Sequence, residues 1–93
     1  MQTEEIKRRV AAQLANCEIY VEGDGSHFTL TVVGELFAGV SNLNRQKRLF
    51  ATLKQEITSG EIHALDVKGF TQQEWQQANR LAHHLDKPRT DRS

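Results

Sequence analysis

Changes of hydrophobic period divide the chain. Ile6, Val10 and Leu14 recur every four residues, the spacing of a single apolar stripe on a helix. Thr3 stands where an N-cap belongs, and Glu4 and Glu5 in the first turn suit a positive helix end. A helix is therefore predicted from Thr3 to about Asn16. From Cys17 the period falls to two. Ile19 and Val21 alternate with Glu18, Tyr20 and Glu22, and after Gly23-Asp24-Gly25-Ser26 the alternation resumes as Phe28, Leu30 and Val32 against Thr29, Thr31 and Val33. Two such runs around a short Gly-Asp-Gly turn predict an antiparallel hairpin. Cys17 has the inward parity, and His27 shares the accessible threonine face.

Residues 34–40 are irregular, with Phe37 expected to pack onto the core. A second helix is predicted from Ser41 or Asn42 to Gly60, which is placed to close it in the left-handed conformation. Leu43, Phe50, Leu53 and Ile57 fall in one narrow sector of its wheel, with Gln46 among them. Residues 62–68 read as a third strand, in which His63, Leu65 and Val67 share a face. Thr71 and Glu74 form a capping box for a last helix, whose buried stripe would be Trp75, Ala78, Ala82 and Leu85. Residues 1–86 are expected to form one domain and residues 87–93 a disordered polar tail. The order α-β-β-α-β-α predicts an α+β fold: a three-stranded mixed sheet with a right-handed crossover and helices packed on one face.

Composition narrows the classes. A chain of 93 residues has too little apolar surface for a second core. No run approaches the roughly 20 apolar residues that span a bilayer, and the start lacks the basic and apolar segments of a signal peptide. No membrane association is expected, and the cytoplasm is the expected compartment. Lys plus Arg and Asp plus Glu are both 12, so the net charge is zero, which argues against a large nucleic-acid footprint. The single cysteine, Cys17, excludes an internal disulfide and any four-cysteine metal site made by this chain alone.

Candidate chemistry centres on histidine. His63 sits at the mouth of the third strand beside the small Ala64, between a glycine-terminated helix and a capped one. Such a mount suits a ligand, because packing around it fixes ring orientation, yet a strand-end histidine more often just satisfies a backbone group. His27 either closes the hairpin or is a second ligand, and Asp24 is a turn former or a third donor. His83 and His84 lie where cations favour a helix C-terminus. His27 and His63 cannot complete a tetrahedral site, so the missing donors of any metal centre would come from outside the chain. No G-x-S-x-G elbow, Walker loop or H-E-x-x-H is present, so no enzymatic activity is expected. Arg45, Lys47 and Arg48, with Lys54 and the segment Lys7-Arg8-Arg9, form either solvated faces balanced by Glu4, Glu5 and Glu56 or a nucleic-acid surface. The element order is similar to KH domains, but their G-x-x-G nucleotide clamp is absent.

Together, the segments 23–28 (Gly-Asp-Gly-Ser-His-Phe), 33–39 (Val-Gly-Glu-Leu-Phe-Ala-Gly), Ile62-His63-Ala64 and Thr71-x-x-Glu74-Trp75 resemble the BolA family, in particular its bacterial acid-stress branch. The resemblance runs from about the first helix through Trp75. It implies a class II KH-like fold and a partner, a monothiol CGFS-type glutaredoxin. The two would share a bridging two-iron, two-sulfur cluster, with sulfur donors from the glutaredoxin cysteine and glutathione. No cofactor is implied for the isolated chain, expected as a monomer or weak dimer. His63 of the Ile-His-Ala strand would be one ligand. The second would come from the hairpin loop, where many relatives have a cysteine or a further histidine. Asp24 stands near the cysteine position, and His27 precedes Phe28. His27 is the better donor, since imidazole is an established iron–sulfur ligand. Relatives often have histidine where Gln46 stands, a role not carried over. The hairpin turn and residues 68–70 would frame the docking surface. The family is also described as DNA-binding regulators, the alternative role for Arg45, Lys47 and Arg48.

Overall fold

A computed structural model describes residues 1–80. The elements are α1 (Thr3–Ala11), β1 (Glu18–Asp24), β2 (His27–Val33), a 3-10 turn (Glu35–Phe37), α2 (Asn42–Thr52), α3 (Lys54–Ser59) and β3 (Ala64–Phe70). A last helix, α4, occupies residues 72–80. The sheet order is β1-β2-β3. β1 and β2 are antiparallel, with Glu18 opposite Val33 and Asp24 opposite His27. β3 is parallel to β2, with Ala64 beside His27 and Phe70 beside Val33. The mixed sheet and α+β class follow the alternation in the sequence.

Strand alternation also sets the layers. Ile19, Phe28, Leu30, Val32 and Val67 meet Ile6 and Val10 of α1, Leu49 of α2, and Phe37, Leu53 and Ile62 in one core. α1 lies against β1 and α2 against β3. A buried Leu or Phe in such a core stabilises by about 2 kcal/mol or more.

Several elements depart from the expectation. α1 starts with Gln2 at the N-cap and no side-chain cap bond, so Thr3 is inside the helix. Its regular part stops at Ala11. The chain then unwinds through turns to Asn16 at φ 61°, a left-handed conformation that asparagine tolerates. Gln13 ties this end to α2, its Nε2 donating to the Thr52 carbonyl at 2.8 Å.

The expected single second helix breaks at Leu53, where φ is −124° and ψ 26°. The Thr52 hydroxyl donates back to the Leu49 carbonyl at 2.6 Å, and the Leu53 amide donates to Phe50 at 3.1 Å, which tightens and ends the helix. The wheel also faces another way than expected. Arg45, Leu49, Thr52, Leu53 and Glu56 are buried, whereas Leu43 is 60% exposed and Phe50 and Ile57 also face water. Long amphipathic side chains explain the difference, because the stems of Arg45 and Glu56 can line a core when their charged heads find partners. Glu56 pairs with Arg9 of α1.

Arg45 also lies elsewhere than on the α2 surface. It was expected on an exposed basic face and is instead 7% exposed. Its Nε donates to the Val40 carbonyl at 2.8 Å, Nη1 to the Gly69 carbonyl at 3.0 Å, and Nη1 and Nη2 to the Glu74 carboxylate at 2.5 and 3.2 Å. The guanidinium also lies 5.7 Å from the Phe37 ring centroid. Gly69 packs closely beneath it: a Cβ there would stand 3.1 Å from the Phe37 ring and 3.3 Å from the Arg45 Cβ, so either side chain would have to shift by a few tenths of an ångström.

The capping box forms as read: the Thr71 amide donates to Glu74 at 2.9 Å, and the Glu74 amide to the Thr71 hydroxyl at 3.2 Å. The helix it opens begins on the second face of the sheet. Trp75 stacks on Tyr20 at 5.3 Å and tilts against Phe70 at the same distance. Both partners alternate away from Ile19 and Val67, so α4 does not share the α1 and α2 layer. Ala82, His83, His84, Leu85 and the expected tail 87–93 lie outside the described residues.

The Arg45 side chain, then the Thr71 amide, hold the Glu74 carboxyl down to about 2 from its usual 4.5. A depressed value in the folded state means that this stabilisation is complete above pH 4.5 and is lost as pH falls toward 2. Urea midpoints measured from pH 6 to 2 should therefore drop more steeply for the natural protein than for Glu74→Gln. Parallel pH profiles would contradict this role for the pair.

Candidate functional site

The hairpin turn is tighter than expected, because β1 continues through Gly23 and Asp24 and leaves Gly25-Ser26 as a two-residue loop. Gly25 has φ 62° and is followed by an ordinary residue, the pattern of a turn whose first central position favours glycine. Gly23 has a different constraint. At φ 129°, a Cβ on it would lie 2.2 Å from the His27 carbonyl oxygen and 2.9 Å from the Phe28 Cα. Only glycine lets the two strands approach this closely beside His27.

The turn then receives the third strand. The Ser26 carbonyl accepts from the His63 amide at 2.8 Å and the Ala64 amide at 3.1 Å. Just upstream, Ile62 is 2% exposed, and its amide donates to the Glu56 carbonyl at 3.1 Å. The His63 backbone is thus gripped on both sides while its ring remains exposed. That ring lies over the end of α3: its Nε2 is 3.7 Å from where a Cβ on Gly60 would stand. Gly60, at φ 88°, ends the helix in the left-handed conformation that glycine adopts without strain.

Asp24, His27 and Ala64 form one row across the three strands, and His63 immediately precedes that row. Asp24, His27 and His63 are all exposed. Two rows along the sheet, with the same strand parity, stand Glu22, Thr29 and Asp66, so carboxylates flank His27 on both edge strands. The other expected contributors fall elsewhere. Residues 68–70 pair with Thr31 to Val33, at the far end of β3 from His63, so they do not frame this end of the sheet. Cys17 is also at the far end, its Sγ packed against Gly34 and donating to the Ala15 carbonyl at 3.5 Å. Burial pushes its thiol up, away from the thiolate a metal would need. Lys47 and Arg48 are exposed on α2, without Arg45 beside them in solvent.

Among the described residues, no group of three or more His, Cys, Asp or Glu could hold a metal ion. The donors therefore do not fit a self-contained centre. An exposed, backbone-braced imidazole with a second one on the adjoining strand does fit a contribution to a centre finished by other donors. Ser26 and Ile62 stand in motifs quoted from the sequence, but their bracing of His63 could not be read there, because it is carried by backbone groups that no residue type advertises.

A family model described as BolA-like protein matches residues 4–74. The chain belongs to the BolA family. It is 37% identical over 81 residues to the acid stress protein IbaG of Escherichia coli K12, covering 87% of this chain and 96% of that one. It is 46% identical over 57 residues to a DNA-binding transcriptional regulator BolA of Vibrio cholerae, covering 61% and 53%. Among solved structures, a bolA homologue from Coxiella burnetii superposes with a TM-score of 0.72 at 31% identity, over 82% of this chain and 97% of that one.

Replacing Gly25 with Ala should cost about 1 kcal/mol, the ordinary strain of a left-handed alanine in open space. Gly23→Ala should cost roughly 3 kcal/mol or more, since steric clash with backbone adds to the strain. Denaturant midpoints check the order of the two variants, and an equal effect would contradict the close approach at His27.

Proposed function

We propose that this chain is a non-catalytic partner of a monothiol CGFS-type glutaredoxin and shares with it a bridging two-iron, two-sulfur cluster. The observation that carries this reading is exposed His63, its backbone braced through Ser26 and Ile62 one residue before the row that holds exposed His27, with no group of three donors among the described residues that could hold a metal alone. His63 supplies one ligand and His27 the second, while Asp24 is the weaker candidate because carboxylate is the rarer donor. Cysteine of the glutaredoxin and the sulfur of glutathione provide the soft donors that this end of the sheet lacks, since Cys17 lies at the other. The cluster supplies one-electron chemistry or serves as cargo. Replacing thiolate by imidazole shifts its potential and lability, so the output is cluster trafficking or iron and acid-stress regulation. The stress assignment draws on the printed name of the Escherichia coli relative. We place this activity in the cytoplasm; no helix among the described residues is long and apolar enough to cross a membrane.

The name of the Vibrio relative favours a second reading, DNA binding. With Arg45 buried against Glu74, Lys47 and Arg48 would carry it. Few phosphate contacts would then give weak binding with a shallow salt slope, near −1 per contact.

Mixing the protein with cluster-loaded glutaredoxin should change the visible absorbance and circular dichroism and yield a heterodimer on sizing. His63→Ala should abolish the spectral change, His27→Ala should weaken it, and Asp24→Ala should leave it intact. An unchanged spectrum with no complex would overturn the cluster reading. Duplex binding that survives His63→Ala and is lost in Lys47→Ala/Arg48→Ala would favour the second.

A further inference from the structure

We propose that the outward face of α2 and α3 is a docking surface for an acidic amphipathic helix of another protein. The large apolar side chains exposed among the described residues are Tyr20, Leu43, Phe50 and Ile57. The last three recur every seven residues and share this face. Isolated exposed leucines need no explanation, but an apolar set rimmed by polar groups marks an interaction site.

Its charge is of one sign. From residue 36 to 55 the sequence contains no Asp or Glu, while Arg45, Lys47, Arg48 and Lys54 are all basic. Arg45 is used internally by Glu74. Ion pairs among the described residues join Arg9 to Glu5 and Glu56, and Arg45 to Glu74, so Lys47, Arg48 and Lys54 have no carboxylate partner there. Lys47 follows Leu43 by four within α2, which puts the two on one stripe, and Lys54 lines the same notch as Phe50. In a chain of zero net charge, this segregation is local and specific.

The break at Leu53 adds shape. It opens a shallow notch of about 330 Å³ lined by Phe50, Ala51, Lys54, Ile57 and Thr58. An apolar floor with a lysine at its rim suits a helix that presents apolar anchors at i, i+3, i+4 and i+7 with carboxylates alongside. Nucleic acid would pair with the lysines but leave Leu43, Phe50 and Ile57 in water. A twofold pairing of this face with a second copy would set lysine against lysine. An anionic membrane favours a longer and broader apolar face than α2 provides.

The test is a titration of the 15N-labelled full chain with a synthetic helical peptide carrying leucine anchors at that spacing and flanking glutamates. A second peptide has lysine in place of each glutamate. Amide shifts should saturate at Leu43, Lys47, Phe50, Lys54 and Ile57 with the acidic peptide alone. Phe50→Ser, and separately Lys47→Glu/Lys54→Glu, should weaken binding about tenfold or more, whereas His63→Ala should leave it unchanged and so keeps this inference separate from the cluster reading. Equal binding of the basic peptide, or shifts that avoid this face, would overturn it. So would concentration-dependent shifts of the protein alone, or occupancy of these residues by duplex DNA or phosphatidylglycerol vesicles in preference to the acidic peptide.

Discussion

The candidate site depends on a single backbone acceptor. The Ser26 carbonyl receives the amides of both His63 and Ala64, which starts the parallel pairing of β2 with β3. Without that pairing the two histidines belong to unrelated parts of the chain. The hairpin can present this carbonyl because Gly25 turns the chain within two residues and Gly23 permits a contact that any side chain would block. On the other side, buried Ile62 holds the approaching segment against the core. The histidine is thus mounted on backbone, which fixes its position while the residue stays exposed.

A second constraint organises the opposite end of the sheet. The Arg45 guanidinium joins the Val40 loop, the end of β3 and the start of α4 through Glu74. A buried charge of this kind is costly unless its hydrogen bonds are satisfied, and here no buried side-chain polar atom among the described residues lacks a partner. The network also subtracts Arg45 from the surface charge. This weakens a phosphate-binding role for α2 and leaves Lys47, Arg48 and Lys54 beside exposed apolar groups instead.

Much of the fold was legible locally. Alternation in residues 18–33 identified the hairpin and the inward Ile19, Phe28, Leu30 and Val32. The positive-φ end at Gly60 and the Thr71–Glu74 box were visible because caps are written in short motifs. The inward face of α2 and α3 was not. Leu43, Phe50 and Ile57 make the more apolar stripe, yet the core takes the side bearing Arg45, Leu49, Thr52 and Glu56. The partners that make this possible, Glu74 for Arg45 and Arg9 for Glu56, are remote in sequence. Likewise Trp75 read as core by spacing, whereas it covers Tyr20 on the second sheet face. At the site, residue type pointed to His63 and His27, but their meeting point is a carbonyl, and carbonyls leave no trace in a sequence. Residues 68–70 were misplaced because the parallel direction of β3 carries them away from the turn.

The most direct measurement is pulsed electron paramagnetic resonance on the reduced cluster complex, prepared with 15N-histidine in this chain and unlabelled glutaredoxin. Histidine ligation predicts a hyperfine coupling of 15N character that disappears in His63→Ala. A spectrum without nitrogen from this chain, unchanged by that substitution, would contradict the account.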